Sequence, residues 1–495
     1  MPHSSSTPKG ALAFSEGGSA DDTPLLIDLD RALIRTDLLS EAALSYLTAN
    51  PLRILHFLAW MLRGRAHLKR RLTETAIPDP ELIPVNGEVV ELAREAKRRG
   101  RQVFAVTAGV GELAREVATR FPFFDGVISS GGTTELTASQ KAALVSESLP
   151  GVYDYVGASA DDLDVWKNAR EIIVVAPDRT TRHAIQALAK PTTIIEGKSR
   201  VRALVKAARP HQWVKNTLVF VPALLSGTIT IPGTAIACTA AFLALGLVAL
   251  GTYLINDLLD IDSDRRHWSK RFRPIAAGDL SIGMAIAVAV VSIVAGLAIG
   301  AAVGRAVFAS VLVYLALTLV YSIHLKRLPI VDVTVLATLF TLRIAIGIAA
   351  ADVFASPWLL TFSMALFTSL SIAKRYTEIQ RATTKGETIV PGRGYITADA
   401  PLLLGLGLAT GTTSVVILVL FIIFDALERD IYTNPHWLWT FPGIMFLWIG
   451  RIWFVSQRGE LDDDPVAFAI KDRQSLFLGA LSATFFGLAL LGVPL

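Results

Sequence analysis

Residues 234–264 read TAIACTAAFLALGLVALGTYLINDLLDIDSD, a long apolar run that ends in four aspartates. A helix needs about 20 predominantly apolar residues to cross the hydrocarbon core of a bilayer. This run therefore predicts a membrane-spanning helix. Carboxylates at the edge of such a helix are costly and usually functional. We expect a membrane protein with a polar site where this helix ends.

The composition of the whole chain supports the same class. Of its 495 residues, 52% are hydrophobic and 18% are charged, whereas about 25% are charged in soluble domains. This balance excludes a disordered chain, a collagen-like chain and a single soluble globule. The net charge of +4 and the single cysteine, Cys238, give no indication of a nucleic-acid partner, a disulfide framework or a Cys-rich zinc site.

Hydropathy divides the chain into a leader and two domains. Residues 1–24 are rich in Ser, Gly and Asp and predict a disordered leader. Residues 25–195 predict a soluble, Rossmann-like α/β domain, and residues 196–495 predict a membrane domain. In the soluble domain, short apolar runs predict buried parallel strands at 25–27, 103–106 and 172–175. The apolar run 52–62 is too short to span a bilayer and predicts a cap or interfacial helix.

The membrane domain contains nine long apolar stretches, so the expected fold class is a multi-pass α-helical membrane protein with nine transmembrane helices and an N-terminal α/β domain. The stretches are 212–228, 234–255, 282–303, 305–323, 329–350, 356–373, 400–424, 437–456 and 474–494. The loops on one side carry fifteen basic residues and those on the other side carry two. The positive-inside rule places the basic side and the α/β domain in the cytoplasm, and the C-terminus outside.

The aspartate motif has the residue types of a magnesium site. Asn256, Asp260 and Asp264 are spaced i, i+4 and i+8, and one continuous helix would place them on the same face. Asp257 adds a further carboxylate. Mg²⁺ prefers such hard oxygen ligands and usually shares them with phosphate oxygens. The alternative is a solvated acidic loop.

Basic residues follow the acidic motif and predict phosphate binding. Arginine and lysine side chains bind phosphate oxygens while carboxylates hold the metal. The alternative is that these cations only fix the topology or contact lipid headgroups. The residues concerned are Arg266, Lys270, Arg271 and Arg273.

A second cluster begins at Tyr321 and includes Lys326 and Asp332. Asp332 lies in the apolar start of a predicted span, so a metal, a water or Lys326 must satisfy its carboxylate. Arg343, also within a span, is expected either in the site or in a structural ion pair. Two further patches on the same side are candidates for substrate binding: Lys215 and Asn216, and Lys374, Arg375 and Tyr376.

Together, these motifs resemble the UbiA superfamily of intramembrane prenyltransferases. They are RPHQWVKN at 209–216, NDLLDIDSD at 256–264, RFRPIAAG at 271–278, YSIHLK at 321–326 and KRYTE at 374–378. The branch they resemble more closely is that of the decaprenyl-phosphate phosphoribosyltransferases. The resemblance implies that Asn256, Asp260 and Asp264 hold Mg²⁺ on a donor diphosphate. It also implies that Lys270, Arg273 and Lys326 contact phosphates and that the acceptor is a polyprenyl phosphate.

The soluble domain resembles haloacid dehalogenase-like phosphatases. The resemblance rests on Asp28, Asp30, Thr107, Lys141 and Asp162. It implies that Asp28 is a nucleophile, Asp30 an acid–base, and Thr107 and Lys141 phosphoryl ligands. Arg31 follows the second aspartate, and Ala158 stands where the family has a metal carboxylate. These departures favour a degenerate, regulatory or lid-like domain with weak or absent phosphatase activity, and an active phosphatase stays open as the alternative.

The expected reaction is therefore the transfer of a 5-phosphoribosyl group from phosphoribosyl pyrophosphate to a polyprenyl phosphate. Two alternatives stay open: prenyl transfer from a polyprenyl diphosphate to a small acceptor, and a transporter or lipid-binding scaffold. The expected partners are the lipid substrate, a phosphorylated sugar donor and membrane lipids, with no nucleic acid. Residues 1–195 are expected to be dispensable for the transfer chemistry. The sequence leaves the lipid chain length and the oligomeric state open.

Overall fold

The structure is a computed structural model that describes residues 22–109, 111–130, 136–390, 392–428, 431–461 and 465–491. Most of the expected leader, residues 1–21, lies outside the described residues. The chain divides into two compact units. The soluble unit contains the residues up to Ala207 together with Asp257–Ile286, and the membrane unit contains Ala208–Asn256 and Ala287–Leu495. We call Asp257–Ile286 the acidic segment.

The soluble unit is built around a parallel six-stranded sheet with the strand order β3-β2-β1-β4-β5-β6. The strands are β1 (Leu25–Asp28), β2 (Val103–Thr107), β3 (Gly126–Ser129), β4 (Asp154–Gly157), β5 (Ile172–Val175) and β6 (Thr192–Ile195). The three apolar runs that predicted buried parallel strands form β1, β2 and β5, so this prediction is confirmed. The order is that of a doubly wound sheet.

Both faces of the sheet are covered by apolar cores. Leu25 and Ile27 enter the core on one face, and Leu26 and Phe104 enter the core on the other. A strand that is buried on both faces is apolar throughout, which is why these strands lack alternation. Each fully buried aliphatic side chain contributes about 1.5–3 kcal/mol.

Helices surround the sheet, and α1 has a defined start. Asp37 caps this helix by accepting a hydrogen bond from the backbone N–H of Ser40 at 2.8 Å. The cap places Glu41 in the first turn. The helices are α1 (Leu38–Ala49), α2 (Ile54–Leu62), α3 (Arg65–Thr75), α4 (Gly87–Arg98), α5 (Gly111–Ala118), α6 (Ala138–Ser148), α7 (Leu163–Asn168), α8 (Arg179–Gln186) and α9 (Arg200–Ala208).

The rest of the chain is helical. Its helices are α10 (Val221–Leu225), α11 (Pro232–Leu259), α12 (Ile261–Arg266), α13 (Ile282–Val303), α14 (Arg305–Ile323), α15 (Val331–Ala351), α16 (Pro357–Thr384), α17 (Ala400–Phe421), α18 (Thr440–Gln457), α19 (Pro465–Ala469) and α20 (Arg473–Leu491). Within the described residues, seven helices are long and apolar enough to cross a membrane. They contain α11, α13, α14, α15, α17, α18 and α20.

The prediction of nine spans is not confirmed. The stretch 212–228 does not form one long helix. It forms a 3-10 helix, Pro210–Phe220, followed by the five-residue α10. Pro222 lies in the first turn of α10 and has no N–H to continue a preceding helix. The stretch 356–373 does begin a 28-residue helix, α16, but the second half of α16 is charged.

The prediction of one continuous helix through residues 256–264 is wrong. Helix α11 ends at Leu259, and α12 begins after Asp260, whose φ of −97° and ψ of 10° are not helical. Aspartate side chains favour helix ends over helix interiors. Like charges stacked at i, i+4 spacing would also oppose a continuous helix. The face expected to join Asn256, Asp260 and Asp264 is therefore broken at its middle residue.

Helix α15 is the most enclosed candidate span of the membrane unit. Its apolar window is 61% buried, against at most 39% in the other six. It carries both Asp332 and Arg343, which are almost completely buried. The ionisable side chains of α15 therefore face the protein interior, where intramembrane charges are usually functional.

Candidate functional site

In the acidic segment, Arg273 bridges two of the motif aspartates. One of its guanidinium nitrogens donates to Asp257 Oδ1 at 3.1 Å and to Asp264 Oδ2 at 2.6 Å. Both carboxylates are buried. Burial raises the pKa of the Asp264 carboxyl, and the charge of Arg273 acts in the opposite direction. Asp257 and Asp264 therefore share one positively charged partner, the Arg273 guanidinium.

The other candidates in the acidic segment are more exposed. Asp260 is half-buried between α11 and α12. Lys270 and Arg271 lie in an exposed 3-10 turn, and the Arg271 guanidinium lies 4.9 Å from the centre of the Phe272 ring. Arg266 is exposed and 3.4 Å from Asp79. Among the described residues, no three His, Cys, Asp or Glu side chains form a ready metal-ligand group.

A buried ion pair ties the acidic segment to the rest of the soluble unit. The Arg265 guanidinium donates to both carboxylate oxygens of Glu41, at 2.8 and 2.7 Å. Asp279 accepts hydrogen bonds from Arg35 at 3.2 Å and from Lys198 at 2.9 Å. Sequence reasoning missed these pairs because nothing local links residues so far apart in the chain.

The soluble unit also brings together the residues carried over from the phosphatase resemblance. Lys141 Nζ donates to Asp28 Oδ1 at 2.7 Å and to Asp162 Oδ1 at 2.6 Å, and all three side chains are buried. Burial lowers the pKa of Lys141, but the two carboxylates outweigh burial and hold the pKa above its ordinary value. The lysine therefore stays charged between two carboxylates.

The second aspartate of this cluster is fixed by the chain around it. Asp30 accepts hydrogen bonds from the backbone N–H of Leu38 at 2.9 Å and from the Thr107 hydroxyl at 3.2 Å. Burial raises the pKa of Asp30, and the Leu38 N–H opposes this rise. The first residue of α1 and the last residue of β2 thus hold the side chain in position.

Asp162 is fully occupied by protein donors. Besides Lys141, it accepts hydrogen bonds from the Tyr155 hydroxyl at 3.0 Å and from the backbone N–H groups of Ala158 at 3.0 Å and Ser159 at 3.2 Å. Ala158 contributes only its backbone. Arg31, the other departure from the phosphatase motif, adopts a φ of 64°, a left-handed conformation that is uncommon for residues other than glycine.

In the membrane unit, Asp332 is completely buried and is satisfied by other side chains. It accepts hydrogen bonds from Arg375 Nε at 2.6 Å and from the Tyr395 hydroxyl. Among the described residues its partners are therefore Arg375 and Tyr395, whereas the sequence suggested a metal, a water or Lys326. The Tyr395 oxygen also accepts from the backbone N–H of Ile330 at 2.9 Å. Ile330 has a φ of 65°, which is rare for a β-branched residue and marks a strained entry to α15.

Arg375 uses every nitrogen of its guanidinium within the protein. In addition to Asp332, it donates to both oxygens of Glu378, at 2.8 and 2.7 Å, and to the Tyr321 hydroxyl at 3.2 Å. Arg393 donates to the same Tyr321 oxygen at 3.1 Å and to the carbonyl of Lys326 at 3.3 Å. We call this set, around Asp332 and Arg375, the Asp332 network. It holds the loop after α14 against the start of α15.

Two predicted substrate residues, Lys374 and Tyr376, flank Arg375 on α16. Lys374 is half-buried and Tyr376 is buried. The Tyr376 hydroxyl donates to Gln457 and accepts from Gln380 Nε2 at 2.6 Å. The structure therefore places the Tyr376 hydroxyl between Gln457, at the end of α18, and Gln380 of its own helix.

A second polar cluster of the membrane unit joins the first motif to α15. Arg343 donates to Asn216 Oδ1 at 3.1 Å, to the Tyr314 hydroxyl at 3.0 Å and to the carbonyl of Leu339 at 2.6 Å. These acceptors are neutral, so within the described part of the chain Arg343 does not form the structural ion pair considered from the sequence. The contact is close because Gly347 lets α15 approach the backbone of Val219, where a Cβ would lie only 2.1 Å from the carbonyl oxygen.

Two cations share one aromatic ring in this cluster. Lys215 Nζ lies 5.7 Å, and the Arg343 guanidinium carbon 5.2 Å, from the centre of the Phe340 ring. Asn216 is 1% exposed, and its Nδ2 donor has no hydrogen-bond partner among the described residues. We call Lys215, Asn216 and Arg343 the Phe340 cluster. This cluster places the charges of Lys215 and Arg343 and the Asn216 Nδ2 donor inside the membrane unit.

The fold and these buried polar clusters define an integral membrane protein whose candidate site lies among its helices. The chain matches the UbiA prenyltransferase family over residues 217–479. It therefore belongs to this family and is a transferase of the UbiA type.

The chain is also similar to individual proteins. The protein named y4nM of Sinorhizobium fredii is 37% identical over 471 residues, which cover 94% of this chain and 91% of the relative. A decaprenyl-phosphate phosphoribosyltransferase of Corynebacterium glutamicum is 35% identical over 213 residues, 41% of this chain and 64% of that protein. A solved UbiA homolog from Archaeoglobus fulgidus, bound to GPP and Mg²⁺, has a TM-score of 0.46 and 16% identity over 59% of this chain and 99% of its own.

Proposed function

We propose that this protein transfers a 5-phosphoribosyl group from phosphoribosyl pyrophosphate to a polyprenyl phosphate, with Mg²⁺, and releases diphosphate. The name of the Corynebacterium glutamicum relative supports the choice of substrates. The sequence motifs that resemble this branch lie in both polar clusters of the membrane unit and in the acidic segment.

The observation that carries the proposal is the charge of the Phe340 cluster. Arg343 is 5% exposed and its three described hydrogen bonds go to neutral oxygens. A buried guanidinium without an anion is costly inside a membrane protein. With Lys215 on the same ring and the Asn216 donor unused, the cluster fits a phosphate group of the lipid or of the donor.

The acidic segment fits Mg²⁺ by its donor chemistry. Asp257, Asp260 and Asp264 supply carboxylate oxygens, and Asn256 precedes them at the end of α11. Arg273 already holds a positive charge between Asp257 and Asp264. The carboxylates would therefore accept a divalent cation once the Arg273 guanidinium turns away. A bound Mg²⁺ supplies charge neutralisation for a leaving diphosphate.

The reaction needs positioning and charge stabilisation more than proton transfer. The bond between ribose C1 and the diphosphate oxygen breaks, and its electron pair leaves with the diphosphate. A lipid phosphate oxygen forms the new bond to C1. A phosphate monoester has a second pKa of about 6 and is anionic at neutral pH, so no general base is required. The cations Arg266, Lys270, Arg271 and Lys326 would neutralise phosphate charge, and the Asp332 network would hold Tyr321 in place.

One assay tests the reaction. Purified full-length protein receives labelled phosphoribosyl pyrophosphate, polyprenyl phosphate and Mg²⁺, and diphosphate release and labelled lipid are measured. We expect Arg343→Gln to abolish product formation and Arg343→Lys to retain part of it. An exposed-arginine control, Arg94→Gln, should leave the rate unchanged.

The same assay separates the alternatives. Diphosphate release from a polyprenyl diphosphate and a small acceptor, with none from the ribose donor, would replace phosphoribosyl transfer by prenyl transfer. Ligand binding without release of diphosphate from either donor would favour a transporter or lipid-binding scaffold.

We also propose an orientation in the cytoplasmic membrane, with the soluble unit in the cytoplasm and the C-terminus outside. The excess of basic residues in alternate loops supports it. Reporter domains fused to the two termini test the orientation. Activity of a periplasm-dependent reporter at the N-terminus would overturn it.

A further inference from the structure

Helix α2 of the soluble unit has one face on the protein core. Phe57 and Trp60 pack against the core, and the Trp60 ring lies 4.9 Å from the Tyr46 ring. The Arg71 guanidinium covers Trp60 at 5.7 Å. These contacts fix the rotation of α2 about its axis.

The opposite face of α2 is apolar and exposed. It consists of Ile54, Leu55, Leu58, Met61 and Leu62, whose spacing i, i+1, i+4, i+7 and i+8 forms one continuous stripe on a helix. Leu55 is 70% and Leu62 is 88% exposed. We call these five residues the α2 stripe. A contiguous apolar patch of this kind marks a contact surface for a protein or a membrane.

Basic residues precede and follow the stripe in the chain. Residues 51–75 contain six Arg or Lys and one acidic residue, Glu74. Arg53 and Arg63 lie at the two ends of α2. Arg70 and Arg71 follow in α3, where both contact Glu74 at 3.1 Å. An apolar face bordered by cations is the pattern of helices that lie in the interface of anionic bilayers.

We propose that α2 lies in the membrane–water interface, with the α2 stripe among lipid acyl chains and the flanking arginines at anionic headgroups. The occupant is a lipid surface because the same chain carries seven candidate spans, so a bilayer is always within reach of the soluble unit. The nine-residue helix is about 13 Å long and cannot cross the hydrocarbon core. It must lie in the plane of the membrane.

Contact of α2 with the membrane would also restrict the position of the acidic segment, because this segment belongs to the same unit. If α2 is held at the headgroup level, the soluble unit cannot tumble freely, and Asp257, Asp260 and Asp264 keep a fixed depth relative to lipid phosphates. This contact is independent of the proposed transfer reaction and can be tested without substrate.

The test uses the full-length protein in nanodiscs that contain one copy each, with Cys238→Ala to remove the single cysteine. An environment-sensitive fluorophore is attached at Leu58→Cys. The matched control is Val152→Cys, an apolar residue of the same unit that is 60% exposed and precedes β4. We expect blue-shifted emission and strong quenching by nitroxide lipids at Leu58→Cys only.

The charge dependence is measured in the same way. Replacing anionic by zwitterionic lipid, or raising the salt concentration, should weaken the quenching at Leu58→Cys. Leu55→Glu combined with Leu62→Glu should abolish it, and an unchanged fluorophore signal at Val152→Cys would show that the unit is still folded.

Equal quenching at the two labelled sites would overturn the proposal. A blue shift that occurs only when two or more copies share a disc would also overturn it, and would assign the α2 stripe to a contact with a second copy.

Discussion

The guanidinium of Arg265 donates to both carboxylate oxygens of Glu41, which lies 224 residues earlier in the chain. Both side chains are nearly inaccessible to solvent. The acidic segment, which carries three of the aspartates proposed to bind Mg²⁺, is therefore bonded to the first helix of the α/β fold. From the motifs alone we expect residues 1–195 to be dispensable for the transfer chemistry, whereas this contact predicts that the domain supports the motif.

Glu41→Gln should loosen the acidic segment. The substitution removes the carboxylate that is hydrogen-bonded to the buried Arg265 guanidinium, and breaking a buried pair costs about 3–5 kcal/mol. We expect faster tryptic cleavage of the segment and slower phosphoribosyl transfer by the full-length protein. Glu91→Gln, which removes an exposed pair with Arg94, should cost at most about 1 kcal/mol and is the matched control.

The exchanged pair, Glu41→Arg with Arg265→Glu, should recover part of the protease resistance. If Glu41→Gln is digested and transfers at the wild-type rate, the contact has no role in holding the motif.

Asp264→Asn should lower transfer by about 100-fold or more, the scale on which one electrostatic contact to a developing charge acts. The amide retains the shape of the side chain but lacks the negative charge that pairs with Arg273 and that would bind the metal. Transfer rate as a function of Mg²⁺ concentration is the measurement. Asp178→Asn, at the cap of α8 in the soluble unit, serves as a control that should leave the Mg²⁺ dependence unchanged. Near-normal turnover of Asp264→Asn at saturating Mg²⁺ would show that this carboxylate is not a ligand.

Arg375→Met should destabilise the membrane unit. Asp332 and Glu378 would lose their common partner, and a buried carboxylate left unpaired costs about 3–5 kcal/mol. Arg375→Lys should recover only part of the loss, because an ammonium cannot reproduce the planar guanidinium that contacts Asp332, Glu378 and Tyr321 together. Thermal unfolding in detergent measures the stability of the three proteins, which should decrease from the wild type to Arg375→Lys to Arg375→Met. A lysine variant as stable as the wild type would mean that charge alone matters.

The soluble unit should release little or no phosphate from a phosphomonoester in the presence of Mg²⁺. The four hydrogen bonds to Asp162 occupy its carboxylate, and Ala158 supplies no ligand. The full-length protein with p-nitrophenyl phosphate is the assay, and Asp28→Asn is the control that separates this site from contaminants. Phosphate release that disappears in Asp28→Asn would reveal a second enzyme in the same chain.

The sequence predicted what depends on short-range patterns. Runs such as 172–175 identify buried strands because both faces of the sheet are covered, and the apolar length of 234–255 identifies a helix long enough to cross a membrane. The break at Asp260 was not predicted, because residue spacing alone does not show where a helix ends. The partners of Asp332 and Arg265 were not predicted either, since each depends on which distant helices meet.

Because the acidic segment belongs to the soluble unit, two separate parts of the gene should be inherited together. The chain enters that unit, leaves it near Ala207, returns at Asp257 and leaves again after Ile286. Recombination between homologous genes at residue 207 would join a foreign α/β domain to an acidic segment shaped for another. The ion pair would then be kept only if Glu41 and Arg265 change together or are exchanged as a pair. Functional chimaeras of this family should therefore take the residues up to 207 and the acidic segment from the same parent.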